Sequence, residues 1–555
     1  MKRVLTASAI LALLFSQILL TGYSANAELL GSLAREIWFA DSNAAFNGGL
    51  LQVSSGSAAG WSSSPCDRGF TNPKCAVETN TLITTNTLTL CDSKITIPCI
   101  EEVFAQNEKS DWIKGVSAGS RTPPWSDYAF TARPELELGA ANRNNLFTFA
   151  GIGDPVNNLF EINPIMVRSI VKGVLQAPTQ VSMAIHAVYE DKNEPEPWKS
   201  RWDAKNGAEV VKEIYRCLDL PLYTTKCWKY ASNPLTNNFK VVLRLPSAPS
   251  GWLSGRLSNP NIIFENLPGT PSQPFRLTIS GSPVPTPTLV KQYFYDVPTE
   301  KEAWDKVGNV FNLPWTIKMS VSPSLTPTSI DQFTAAVKAD SDLDTATSIV
   351  DKWLVNLSWG KTYEGELGSC PNTGFLGYVG SNSLTYGSEL PTYDPSTDSL
   401  IYRVASPHFM PAGQEFTGIY AMVLNREYAN CIWKLSGAAI SASVEVLSED
   451  GKPKIATASA KFNETTINFV ATGFTFSSPT LRVKLVQENV VKPVENVVKP
   501  VENSAITQSE SKNENKVATP AIAPKKIKVI NCVKGKLTRK ISGVNPKCPA
   551  GYIKK

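Results

Sequence analysis

Alternation of apolar and polar positions dominates this chain. In "TLITTNTLTLCDSKITIPCIEEVF", from Thr81 to Phe104, the residues Leu82, Leu88, Leu90, Ile95, Ile97, Ile100 and Val103 stand among polar neighbours, the period of half-buried strands. "VSMAIHAVYE" repeats the pattern and sets Val181, Met183, Ile185, Ala187 and Tyr189 on one face. It returns between Ser369 and Leu485, where Glu449-Asp450-Gly451 marks one hairpin turn, Asn463-Glu464 a second, and "CIWKL" opens a strand. Helical spacing is confined to the middle. Val210, Val211, Ile214 and Leu218 form an apolar stripe that Pro221 ends. Thr299 with Glu302, and Ser329 with Gln332, read as capping boxes that satisfy free N–H groups of an opening turn. A fourth helix is expected after Asp344, along Ile349, Val350, Trp353, Leu354 and Leu357, while "GSPVPTPTLV", with prolines at 283, 285 and 287, reads as an extended connector. The fold class expected is mainly β, with sandwich-like antiparallel domains and a few short helices in the middle region.

Length and composition divide the chain. At about 100–200 residues per domain, 555 residues predict several compact units. The expected order is a signal peptide at 1–27, a β-rich domain at 28–180, a mixed α/β region at 181–368 and a sandwich-like domain at 369–486. A disordered linker at 487–524 and a basic tail module at 525–555 follow. The leader has Lys2 and Arg3, an apolar run from Val4 to Leu20 and Ala25-Asn26-Ala27 as cleavage site, which predicts export with no spanning segment left after cleavage. The linker is marked by "ENVVKPV" at 488–494 and again at 495–501, where Pro493 and Pro500 forbid a continuous helix; the polar stretch after it lacks the apolar content to fold.

All ten cysteines lie beyond the leader, an even number that in an exported chain implies disulfides. Spacing favours Cys66–Cys75, Cys91–Cys99, Cys217–Cys227, Cys370–Cys431 and Cys532–Cys548, although sequence does not fix connectivity. Zinc is disfavoured, since the chain has no C-x-x-C pair and two histidines. No cofactor is expected.

Catalytic constellations are weak. "GVSAG" places Ser117 in a G-x-S-x-G, but Pro123-Pro124 forbids the helix that a nucleophile elbow needs, so a small-residue turn is the better reading. His186 falls on the polar face of its strand and His408 in a loop between prolines, with no triad order around either. Glu101 and Glu102, adjacent on a strand, should point to opposite faces and so cannot flank one glycosidic bond. Glu135 and Glu137 read as an exposed edge. "DSDLDTATSIVD" places Asp340, Asp342, Asp344 and Asp351 at positions 1, 3, 5 and 12 of a calcium loop, yet Thr345 stands where the turn needs Gly. The competing reading is a helix start capped by Asp344. Trp61, Trp112 and Trp125 are the tryptophans most expected at the surface, where an indole can stack on a sugar.

The tail has the clearest charge signal. Residues 525–555 contain ten Lys or Arg and no Asp or Glu. A hairpin around Lys534-Gly535-Lys536, closed by Cys532 and Cys548, would display Lys534, Lys536, Arg539, Lys540 and Lys547 to a polyanion. Outside a cell that polyanion is an anionic wall polymer or envelope surface, with nucleic acid not expected. The ending "CVKGK…KCPAGYIKK" resembles a C-terminal module of an uncharacterised family of secreted actinobacterial surface proteins. "SPHFMPAGQEFTGIYAMVLN", "CIWKL", "GFTFSSPTLRVKL" and "CDSKITIPCIEEVF" are similar to other parts of those proteins. The resemblance implies an exported, surface-associated protein and supplies no catalytic residues. The function expected is a non-catalytic envelope-associated structural or binding protein, with a carbohydrate-active enzyme or glycan-binding protein as the alternative.

Overall fold

A computed structural model describes residues between 34 and 487, with the longest gaps at 40–49, 121–130, 193–225 and 359–369 and shorter ones elsewhere. In the C-terminal segment it describes 528–534, 537–543 and 553–554. The leader, the helix expected at 210–218 and the linker repeat lie outside the described residues. The chain groups into two compact units, Met1–Val490 and Val491–Lys555.

The larger unit is built on one run of paired strands. Thr81–Thr87, Leu159–Val171, Gln180–Glu190 and Ser348–Ser358 pair antiparallel in that order, and Gly251–Arg256 joins the far side of 348–358. The 251–256 strand then pairs in parallel with Phe375–Ser381, which leads antiparallel through Thr417–Asn425 and Thr466–Thr475 to Thr457–Phe462. Each half of the run is covered by a second sheet, so the body is sandwich-like. A five-stranded sheet, Ser258–Asn266, Phe275–Ser282, Phe239–Leu245, Cys99–Gln106 and Trp112–Lys114, covers the first half. Its inward residues Ile100, Val103, Val241, Leu243, Leu277 and Ile279 share one core with Ile162, Met183, Ile185 and Trp353. The second half is covered by Ser399–Ala405, Thr480–Gln487 and Ile440–Leu447, which bury Leu400, Tyr402, Leu481 and Val483 against Met422, Ile467 and Phe469. A third core, around Trp304 and Phe333, sits beneath the helices Pro298–Val310 and Ser329–Ala339.

Strands from the three expected body segments interleave. The 99–106 strand pairs with 239–245, and 251–256 with 375–381. The boundaries at 180/181 and 368/369 therefore do not separate compact units. Both hairpins expected near the C-terminus form, with Leu447 opposite Pro453 and Phe462 opposite Ile467.

Four local expectations are corrected. The stretch expected as a helix after Asp344 is the strand 348–358. Trp353, Val355 and Leu357 enter the sandwich core while Leu354 is buried as well, and burial on both faces makes an apolar run that imitates a helical stripe. "CIWKL" begins inside the helix Arg426–Trp433, whose opening turn is capped by Asn425 Oδ1 accepting from Tyr428 N at 3.1 Å. The proline-rich connector is the strand Val284–Phe294, paired with 348–352 over residues 284–288. Thr347 N donates to Thr288 O and Val290 N to Thr347 Oγ1, so even-numbered residues face that neighbour. Pro285 and Pro287 turn their missing N–H to the opposite edge, where no described residue pairs with them. The 298–310 helix forms, but with Pro298 in its first turn and Val297 as a cap that makes no side-chain bond, so the Thr299 box is absent.

The disulfides Cys66–Cys75, Cys91–Cys99 and Cys370–Cys431 are present as expected. Cys227 is also disulfide-bonded, with its partner outside the described residues.

The 251–256 strand is the element shared by both sandwiches. Gly255 lies so close to its neighbour that a Cβ would meet Leu354 O at 2.0 Å. Arg256 is fully buried and donates to the carbonyls of Ser381 (2.7 Å), Ser383 and Leu384 (3.2 Å), with its guanidinium 4.4 Å from the centre of the Tyr386 ring. Substitution Arg256→Leu strands these buried carbonyls and is expected to cost about 3–5 kcal/mol. A lowered urea midpoint checks it, with Trp252 and Trp353 fluorescence as the readout of the shared strand region.

Candidate functional site

The acidic stretch from Asp340 folds as a short 3-10 turn, Ser341–Asp344, rather than as a helix start, and Asp340 is its cap. Asp340 Oδ2 accepts from Lys291 Nζ at 2.5 Å and from Tyr293 Oη at 2.7 Å, while Asp342 takes a second bond from Lys291 at 3.0 Å. Burial alone would raise the Asp340 carboxyl. Hydrogen bonds from Lys291, Tyr293 and the Asp342 N–H, with the charge of Lys291, outweigh it and hold the group below the usual carboxylate range. Asp344 points elsewhere: its Oδ1 accepts from His408 N at 3.0 Å and lies 2.6 Å from His408 Nδ1. Ala346 N to Phe409 O extends this strap. Asp351 sits on the 348–358 strand opposite Pro285, and burial pushes its carboxyl up. The four aspartates are thus divided among three places, two of them neutralised by Lys291 and one held by His408. Among the described residues no group of three ligands could hold a metal ion.

The remaining candidates are equally dispersed. Ser117 lies on the exposed strand Val116–Gly119, not in a small-residue turn, and its Oγ accepts from Gly119 N at 3.3 Å. His186, on the 180–190 strand, packs its ring 4.7 Å from that of Tyr230. The 134–136 stretch is a 3-10 turn and not an edge strand. Glu135 pairs with Arg133, whereas Glu137, in left-handed conformation, bonds Arg168 at 2.6 Å. No described nucleophile, base and orienting group come together.

Glu101 and Glu102 give the one constellation that differs in kind from expectation. A β-bulge falls here, since Glu102 lies opposite Val242 and Ile100 opposite Leu243, which leaves Glu101 as the extra residue. The extra residue cancels the alternation, so both carboxylates meet the outward, polar side of the five-stranded sheet instead of opposite faces. Glu101 is gripped by two guanidiniums, Arg244 at 2.6 and 2.9 Å and Arg276 at 2.8 and 2.7 Å. Arg276 also reaches Glu265 at 3.3 Å, and Glu102 pairs with Lys114 at 2.7 Å. Burial raises the Glu101 carboxyl, but hydrogen bonds from Arg276 and Arg244 more than reverse it. A carboxylate so held is a poor proton donor, and the pair has no acid and base poised across a cleft. At the edge of the same face stands Trp112, 38% exposed, with Lys240 Nζ 4.6 Å from its ring centre and 4.1 Å from that of Phe104. Of the other tryptophans expected at the surface, the side chain of Trp61 and all of Trp125 lie outside the described residues.

In the smaller unit, Lys528–Lys534 and Leu537–Gly543 form an antiparallel hairpin with Lys534 opposite Leu537, and Ile553–Lys554 return to pair with Cys532 and Val533. Lys534, Arg539 and Lys540 are therefore on paired strands. Lys536 and Lys547, and any Cys532–Cys548 bridge, lie outside what is described.

Comparison of the chain with protein-family models and with curated proteins gives no match.

Because the Glu101 carboxyl is held low, its contribution to stability is complete above its ordinary value, near pH 4.3, and is lost as pH falls through the lowered folded value. Glu101→Gln is expected to cost about 1–3 kcal/mol at neutral pH. The gap to the parent should narrow on acidification, as read from urea midpoints at neutral and acid pH. Millimolar calcium, or a chelator, should leave the midpoint unchanged, since Lys291 and His408 already occupy the aspartates of the acidic turn.

Proposed function

We propose that the protein is a non-catalytic, exported binding or structural protein whose β-sandwich body is held at an anionic envelope surface by its C-terminal module. The observation that carries this reading is the small unit itself. A segment of ten cations and no acid is not merely a tail but includes a hairpin to which the chain end returns as a third strand. Paired strands carry Lys534, Arg539 and Lys540 on one small scaffold, and the fields of cations that lie within the screening distance, about 8 Å at physiological salt, add. Oxidised cysteines in the body suit a protein that works outside a reducing compartment. No helix among the described residues is long and apolar enough to cross a membrane. The likeness of the tail to that of secreted actinobacterial surface proteins points in the same direction.

The partner expected is an anionic wall polymer or another acidic envelope component. Removing Lys525–Lys555, or replacing Lys534, Lys536, Arg539, Lys540 and Lys547 together by Gln, should move the protein from the envelope fraction to the medium several-fold. The retained parent should be released by about 1 M salt, where the screening length falls to about 3 Å. Unchanged fractionation of both variants would refute the attachment.

A further inference from the structure

The outward face of the five-stranded sheet is almost entirely self-compensated. Lys114 answers Glu102, and Arg244 and Arg276 share Glu101, with Glu265 as a further acceptor. Lys240 is different. It projects from the 239–245 strand opposite Phe104, and no carboxylate of the described residues pairs with it; its ammonium rests instead on the rings of Phe104 and Trp112. A cation over two aromatic faces is positioned without being neutralised.

Trp112 beside it is held in place by the backbone. It lies opposite Gln106 on the three-residue edge strand, and the chain leaves that strand at once, through Gly115 N to Val103 O at 2.8 Å. A Cβ at Gly115 would meet Val103 Cγ2 at 2.6 Å and the Phe149 ring at 2.8 Å, so a larger residue there requires these core side chains to shift. The neighbouring amides are engaged in supporting the edge. Asn238 Nδ2 donates to Gln106 Oε1 at 2.7 Å, and Gln106 Nε2 to Ser110 O at 2.9 Å. Asp111, the nearest acid in sequence, accepts from Asn107 Nδ2 at 3.3 Å. An exposed indole on a paired strand is thus placed against a cation that pairs with no carboxylate among the described residues.

We infer that this corner binds an acidic polysaccharide. The apolar face of a pyranose lies on the exposed part of Trp112, and the carboxylate of that sugar supplies a counter-ion to Lys240. Sugar rings carry axial C–H groups on one face, which suit an indole. The ion contact selects acidic from neutral sugars. The site belongs to the body and is distinct from the basic tail. It rests on the envelope reading only for where such a polymer would be met, and not for the binding itself.

The test uses the full chain at physiological salt, with short oligogalacturonides as the acidic probe, cello-oligosaccharides as the neutral one and polyglutamate as an acidic polymer without sugar rings. Calorimetry should show Trp112→Ala weakening oligogalacturonide binding about tenfold or more, and Trp112→Phe retaining most of it. Lys240→Gln should lose the preference for acidic over neutral oligomers. The tail is common to all these variants and cancels in the comparison, and unchanged thermal melts exclude misfolding. Equal affinity of parent, Trp112→Ala and Lys240→Gln would overturn the inference, as would the absence of binding by the parent. So would polyglutamate binding that depends on the same two residues as strongly. If these variants behave as expected while the tail variants stay in the envelope fraction, only the attachment reading falls.

Discussion

The constraint on which the body depends is a charge with nowhere to go. Arg256 is fully buried, and the donors of its guanidinium find the carbonyls of Ser381, Ser383 and Leu384. A buried charge is tolerated only where hydrogen bonds replace its hydration, because unmade contacts in a low-dielectric interior are not offset by water. Those carbonyls belong to the chain leaving the 375–381 strand, so the arginine fixes where that chain turns. Tyr378 adds a second tie, its hydroxyl accepting from Leu257 N at 2.9 Å. Burial pushes the ionisation of that hydroxyl far above its ordinary range, which keeps it neutral at any physiological pH. The two sandwiches meet along this parallel pairing, and a two-residue polar lock sets their common register.

This arrangement explains why the body resists division by sequence. Period-two alternation at 180–186 identifies a strand correctly, because Val181, Met183 and Ile185 meet the core while Gln180, Ser182 and His186 are less buried. The same rule fails where both faces are covered. At 348–358 the Leu354 side is buried beside its core-facing neighbours, so the local pattern carries no period to separate strand from helix. Nor does the sequence show that residues 99–106 will pair with 239–245. Sheet partners far apart along the chain are selected by the closed sandwich, and each segment read alone looks like part of a separate domain.

The sites follow a similar division. Residue types at calcium spacing were visible in "DSDLDTATSIVD", but the lysine that neutralises two of the aspartates comes from position 291 and the histidine that holds a third from 408. Both partners lie some fifty or more residues away, outside any local motif. The bulge at Glu101 is a still smaller event. One extra residue turns a pair that alternation would separate onto a shared side, and no composition rule signals it, since the bulge is set by pairing with the 239–245 strand. Exposure of Trp112, by contrast, was legible, because its neighbours Lys109, Ser110, Asp111 and Lys114 leave it no apolar stretch to join.

If both proposed contacts are made with one acidic surface, they are not redundant. A cluster of cations acts at a distance and tolerates any arrangement of acceptors, so it speeds encounter and retention while discriminating poorly among polyanions. Stacking on an indole acts only at contact and depends on the shape of the ring, so it selects while contributing little to capture. Joined by a linker, the second contact is made at an effective concentration set by the span between modules and not by bulk polymer. A basic end that finds the surface and a sheet face that reads it would then raise overall avidity above either alone, provided the linker lets both engage one polymer. That condition makes linker length, more than any single side chain, the variable through which tail and body could be tuned to each other.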